Sequence, residues 1–379
     1  MKHTPLRKAL ALTLPLFFLA ACGEVDDLLT PDPPPVEEPS DPTPPDPIDE
    51  PGEPEEPPAG GVRVIYDTDY GIDVDDVGAL AVLHALADMD EVTILGVVSN
   101  VADPFAPPAI DVVNTYYGRP DIPIGLTDRP YYAEAYPYWR EHDPRFIEDM
   151  ALRFPHNTPM DGSVPTATEV YRELLAAQPD NSVTIVSVGF LQNLSDLLNS
   201  GPDEHSPLDG RTLIQQKVRE LSLMGGHYPS SNNDLYLSGG REMDSRYAID
   251  VIENWPTVIN FNTGPTCHEV LNGATLTATT PETNPVRFAY EQFFDGPSRN
   301  RNAWDLCSVL YAVRGLWGPE GQYFDVIETE QLTLTTTGFN EWIDEDDPRH
   351  HRLIRVMPED ELSAILEALL TQPPANPGP

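Results

Sequence analysis

The run Asp67-Thr68-Asp69-Tyr70-Gly71-Ile72-Asp73-Val74-Asp75-Asp76 decides how this chain is read. A β-prone apolar stretch, Val62 to Tyr66, precedes it, and a long apolar segment, Val77 to Leu86, follows. A strand end and a helix start therefore carry five carboxylates within ten residues. Like charges at that density repel and raise one another's pKa, and a bound cation is the simplest remedy. Hard cations such as Ca²⁺ take about six to eight oxygens, carboxylates prominent among them. The stretch reads first as a metal site, with an acidic turn that caps a helix through Asp75 or Asp76 as the plain alternative.

Other acidic or phosphate-binding loops fit worse. An EF-hand loop beginning at Asp67 needs Gly and Glu where the chain has Ile72 and Gly78. A phosphate-binding loop needs a Gly-rich backbone and a Lys, and neither is present. An aspartyl-phosphate enzyme of the DxDx(T/V) type needs Thr or Val in place of Gly71.

Upstream, Lys2, Arg7 and Lys8 precede an apolar run from Ala9 to Ala21. That run is too short to span a bilayer comfortably and has the pattern of an export signal. It ends Leu19-Ala20-Ala21-Cys22, which resembles the lipobox of bacterial lipoproteins and makes Cys22 the expected lipidation site, after a signal peptide of residues 1–21. Gly23 follows rather than the Asp that favours inner-membrane retention in enteric bacteria, so the outer membrane is the expected location.

Residues 22–60 form a separate region: between Pro31 and Pro58 there are thirteen prolines and ten acidic residues, with almost nothing to bury. Such a segment cannot build a core. It is expected to be an extended, self-repelling spacer, reaching up to about 120 Å at about 3.1 Å per residue. The net charge of −40 argues against nucleic acid as a partner and leaves the lipid anchor as the one expected contact with a membrane. Beyond Cys22 the chain has Cys267 and Cys307, either a disulfide in an oxidising compartment or two buried thiols.

Downstream, residues 61–379 read as one domain in which short β-rich runs alternate with helical patterns, an α/β fold with a mixed, mainly parallel sheet flanked by helices. Strands are expected at Val62–Tyr66, Val92–Val98, Ile122–Ile124, Val183–Val188, Val218–Met224 and Thr257–Phe261. Helices are expected at Asp76–Ala87, Ala109–Tyr117, Thr168–Ala177, Leu191–Leu198, Ser245–Glu253, Ala303–Arg314 and Glu359–Leu370. Tyr131 to Pro165 has no period and reads as a surface excursion. Phe324–Thr336 reads as a hairpin, with a partner strand near Leu353–Val356.

Several strand-end motifs occur in one order: the acidic run, Gly189-Phe190-Leu191-Gln192-Asn193, Met224-Gly225-Gly226, Glu242-Met243-Asp244 and Trp304-Asp305. Together they resemble the inosine–uridine preferring nucleoside hydrolases, especially their exported bacterial relatives, over roughly Arg63 to Leu370. The resemblance implies a Rossmann-like core with Ca²⁺ at the strand ends. Asp69 would be a metal ligand and the base for the attacking water, Asp76 a bidentate ligand, Val188 a ligand through its carbonyl, and Asp305 the last ligand. Asp75 would bind the ribose 2′-hydroxyl. Two extra residues before that pair make Asp73 a competitor for the role. Asp67 would brace the metal shell and Asn100 would stand beside it, while Glu242 and Asp244 would hold the sugar, Asp244 replacing the family's Asn.

Trp304 departs most from the family, whose members often carry there a His suited to protonate the leaving base. Either another group serves, with His227 ahead of His268 and Tyr290, or the leaving group differs; Trp304 itself can stack on a base or wall the pocket. The implied activity is calcium-dependent hydrolysis of the N-glycosidic bond of a ribonucleoside or related riboside, a small-molecule partner. Two alternatives bind without turnover: a catalytically altered relative, and a tethered solute-binding protein, which would show two lobes and a hinge. Oligomeric state stays open, a homo-oligomer included.

Overall fold

The computed structural model describes residues 61–129, 146–232, 245–345 and 347–378. The signal peptide, Cys22, the proline-rich region, Glu242 and Asp244 lie outside the described residues. Among the described residues, no helix is long and apolar enough to cross a membrane.

An eight-stranded sheet is the frame. Its strands are β1 (Val62–Thr68), β2 (Val92–Ser99), β3 (Ile124–Leu126), β4 (Val183–Ser187), β5 (Val218–Met224), β6 (Val258–Asn262), β7 (Phe324–Ile327) and β8 (His350–Arg355). They lie in the order β3-β2-β1-β4-β5-β6-β8-β7, all parallel except the edge strand β7, which runs against β8. This is the mixed, mainly parallel α/β sheet expected from the alternating pattern.

Both faces of the sheet are covered, which is why its strands are apolar throughout rather than alternating. Val64 and Tyr66 of β1 enter one core, whereas Ile65 enters the other. The first core takes helices α1 (Asp75–Asp88), α2 (Ala106–Tyr116) and α3 (Phe146–Arg153). The second takes α4 (Ala167–Ala176), α5 (Gln192–Leu198), α6 (Gly210–Lys217) and α7 (Arg246–Asn254). Three later helices, α8 (Pro285–Phe293), α9 (Trp304–Arg314) and α10 (Glu359–Leu370), return to the first core. Helix α1 is buried on all sides from Asp75 to Leu86, as its unbroken apolar sequence requires.

Two expectations are corrected. Phe324–Thr336 is not a hairpin: β7 pairs with β8, and Gln331–Leu334 pairs instead with Asn340–Ile343 in a separate small sheet. The proposed partner near Leu353 is right for β7 alone. Of the excursion 131–165, residues 131–145 lie outside the described residues, and the remainder contains α3, whose Phe146, Ile147 and Met150 are buried.

Candidate active site

Strand order reverses direction between β1 and β4, since the chain builds β2 and β3 on one side of β1 and then crosses to the other. In open parallel sheets, ligands bind outside the carboxyl ends of the strands at such a switch point. Here those ends carry Asp67 within the end of β1 and Asp69 just after it, Asn100 after β2, and Val188-Gly189 after β4. Gly71, at φ 107°, turns the chain between β1 and α1 in a backbone region that side chains disfavour. The first turn of α1 then presents Asp75 and Asp76, and the first turn of α9 presents Asp305. Both helix N-termini favour negative charge.

Asp67, Asp69, Asp75, Asp76 and Asp305 are all buried. Oxygens of Asp75, Asp76 and Asp305 lie within 4.8 Å of one another. Asp69 is electrostatically joined to Asp76 and Asp75. Among the described residues, both oxygens of Asp69, Oδ2 of Asp76 and Oδ1 of Asp305 have no hydrogen-bond partner. Buried polar atoms are rarely left so. Burial, and after it the repulsion among these carboxyls, pushes Asp69, Asp75, Asp76 and Asp305 well above the usual carboxylate range. A closed set of oxygen donors with unspent lone pairs fits a hard divalent cation.

A second layer holds the cluster in place. Asp67 accepts hydrogen bonds from Asn100 Nδ2 (2.8 Å), the Tyr171 hydroxyl (2.8 Å) and Asn193 Nδ2 (3.2 Å). Burial nevertheless raises its pKa to about 7, against the pull of those donors. Asn100 Oδ1 accepts from the Phe190 N–H at 3.2 Å, and Gln192 donates to the Asn100 carbonyl. Gly189 permits this approach: a Cβ there would sit 2.6 Å from Asn100 Nδ2 and 2.7 Å from the Asp69 nitrogen. Thr68 donates to Asp76 Oδ1.

No protein-family model matches the sequence, and no curated protein matches it. Solved structures do match. The inosine-guanosine nucleoside hydrolase IG-NH superposes with a TM-score of 0.58 at 16% identity, over 82% of this chain and 98% of the other. The inosine-uridine preferring nucleoside hydrolase from Bacillus anthracis gives 0.56 at 17%, over 82% and 99%. The effector protein XOO4466 gives 0.60 at 14%, over 83% and 94%. The fold is that of the nucleoside hydrolases.

On this nucleoside hydrolase fold, Asp75, Asp76 and Asp305 come together at one place, and Asp69 interacts electrostatically with Asp75 and Asp76. Val188 is buried and donates its N–H to the Asp67 carbonyl at 2.9 Å. Asp73 and Asp75 are separated by their partners. Asp73 is gripped by the Arg301 guanidinium and accepts the Val74 N–H at 2.7 Å, whereas Asp75 faces Asp76 and Asp305. Asn100 spends its amide on Asp67 and Phe190, a bracing arrangement.

Trp304 donates its indole N–H to the Gly264 carbonyl at 3.1 Å. Arg301 lies 4.9 Å from the centre of its ring, and the His268 ring is tilted against it at 5.7 Å. His227 is exposed at the end of β5, near Gly264. Tyr290 is buried beneath α1, with its hydroxyl 2.6 Å from where a Cβ on Gly78 would stand. Cys267 and Cys307 form a disulfide, which fastens the loop after β6 to α9 two residues beyond Asp305. Arg301, Tyr171 and Thr68 also belong to the site and are not among the residues expected from the sequence.

Proposed function

We propose that the protein hydrolyses the N-glycosidic bond of a ribonucleoside or related riboside, with Ca²⁺ as cofactor. The observation that carries this reading is the group of buried carboxyl oxygens without hydrogen-bond partners, on a fold shared with nucleoside hydrolases. Asp69, Asp76, Asp305 and the Val188 carbonyl would hold the ion. Bound there, a cation of this kind fixes a water and makes it easier to deprotonate.

The chain's own groups then divide the work. Asp69 takes the proton of the attacking water, and Asp75 holds the ribose 2′-hydroxyl. Breaking the bond builds positive charge on the sugar, which the surrounding carboxylates stabilise. Glu242 and Asp244 are proposed to hold the far side of the sugar. The Trp304 N–H is committed to Gly264 and an indole has no useful acid, so Trp304 serves as a wall. Tyr290, buried beneath α1, is poorly placed to protonate a leaving base, which leaves His227 and His268 near Trp304 for that task. We further propose that Cys22 is lipidated and that residues 22–60 tether the enzyme to a membrane, in line with the exported relatives the motifs resemble.

A panel of nucleosides and p-nitrophenyl riboside, assayed with Ca²⁺ and with chelator, tests the activity. The activated riboside is expected to be cleaved far faster than inosine or uridine, because its leaving group needs little protonation. Asp69→Asn should abolish both. Bound cation without turnover of any riboside would instead identify a binding protein.

A further inference from the structure

The cluster depends on two helix N-termini, those of α1 and α9, arriving at one point from distant parts of the sequence. One side-chain bridge joins the segments just upstream of both. Arg301 donates from Nε to Asp73 Oδ1 at 2.8 Å and Oδ2 at 3.0 Å, and from its second nitrogen to Oδ2. Asp73 lies two residues before Asp75, and its Oδ1 also accepts the Val74 N–H at the start of α1. Arg301 lies four residues before Asp305, in a two-residue strand, Arg301–Asn302, that leads into α9. The grip is therefore on the backbone that delivers the ligands, at both ends.

The guanidinium is held in place before it binds. It rests over the Trp304 ring at 4.9 Å and the Phe293 ring at 5.9 Å. Its side chain is 25% exposed and that of Asp73 11%, so water screens the pair only in part. The strand itself is fixed by pairing with Leu271–Asn272, by the Ala303 N–H bonded to the Val270 carbonyl at 2.9 Å, and by the disulfide. A planar fork matched to a carboxylate sets direction as well as charge, which a lysine ammonium cannot do.

We infer that Arg301 is a positioning residue for the cation site, acting through Asp73 to set the separation of Asp75 and Asp76 from Asp305. The inference rests on the proposed cation site. It makes a prediction opposite in sign to simple electrostatics. Removing a positive charge beside a cation site should tighten cation binding if charge alone matters. If Arg301 works by geometry, the same removal loosens binding.

The test is calorimetric titration of the full chain with CaCl₂ after chelator treatment, comparing wild type, Arg301→Gln, Arg301→Lys and the double variant Asp73→Asn with Arg301→Gln. Circular dichroism and melting in saturating Ca²⁺ report whether each variant is folded. Arg301→Gln is expected to weaken Ca²⁺ binding at least tenfold, and Arg301→Lys by less. The double variant should bind no more weakly than Arg301→Gln alone, because Arg301 acts through Asp73 and the bridge is already broken. Unchanged or tighter binding in folded Arg301→Gln overturns the inference while leaving the cation site standing. If Arg301→Gln does not fold, Arg301→Lys decides by the same criterion, wild-type affinity overturning the inference. Wild-type protein that binds no divalent cation overturns the site reading itself, and this inference with it.

Discussion

Replacing Asp305 by Asn isolates the electrostatic cost of the acidic cluster. The change keeps the volume of a buried side chain at the start of α9 and removes one negative charge. Its oxygens and those of Asp75 and Asp76 lie within 4.8 Å of one another. At an effective dielectric near 20, each such pair of full charges costs about 3.5 kcal/mol. Uptake of a proton limits the total, since protonating an ordinary carboxyl at pH 7.5 costs about 5 kcal/mol. Without a cation, the wild type therefore carries up to about 5 kcal/mol of penalty at this residue. The variant sheds it but buries an amide with incomplete hydrogen bonding, at about 1–3 kcal/mol.

Asp305→Asn should thus be more stable than wild type in chelator, by about 3 kcal/mol, or about 4–5 °C for a domain of this size. Calcium should reverse the ranking. A ligand at 100 to 1,000 times its Kd stabilises by about 3 to 4 kcal/mol, which the wild type gains and the variant forfeits. Scanning calorimetry of both proteins in EDTA and in millimolar CaCl₂ at pH 7.5 measures the crossing. A variant that melts below wild type in EDTA, or that shows the same calcium shift, would refute the cation-cage argument.

Asp67 gives a pH signature. Its folded pKa near 7 lies above the unfolded value of 3.8, so the folded state binds more protons between them. Stability is then fully present below pH 4 and lost as pH rises through 7, by about 4 kcal/mol for this group. Asp67→Asn in chelator should flatten the curve by that amount in urea melts at pH 4 to 8, and an unchanged slope would contradict the assignment. For the tether, Cys22→Ser is expected to release the protein from membranes on fractionation, because retention would rest on that residue's acyl chains; continued membrane association would count against lipidation.

The sheet was readable because parallel strands buried on both faces are unbroken apolar runs, and α1 because its burial leaves no polar stripe. Two helices not expected from the apolar pattern carry local cap signals instead: Asp209 caps α6, and Asn284 caps α8 ahead of Pro285. The false hairpin has a different cause. Phe324 and Leu332 are both buried in β-prone runs close in sequence, but Phe324 enters the first core and Leu332 the second. Choice of partner there is a tertiary matter that local pattern does not encode. In the site, the acids of residues 67–76 were legible from their density, whereas Asp305 and the supporting place of Asp67 followed from the family resemblance. The Arg301–Asp73 bridge was not legible, since it joins positions 228 residues apart.

Charge accounting connects the cluster to the chemistry proposed for it. Asp69, Asp75, Asp76 and Asp305 would bring four negative charges if all ionised. The N-termini of α1 and α9 offer about half a positive charge each, and Arg301 is already committed to Asp73. A divalent cation would therefore leave roughly one negative charge unbalanced among buried side chains. An anionic ligand meets that residue as repulsion, whereas a sugar becoming positive at its anomeric carbon meets it as stabilisation that grows toward the transition state. The same excess fits the proposed cation site and the layer of donors around Asp67. Without them, the carboxyls would take up protons, and a protonated Asp69 could not accept one from water.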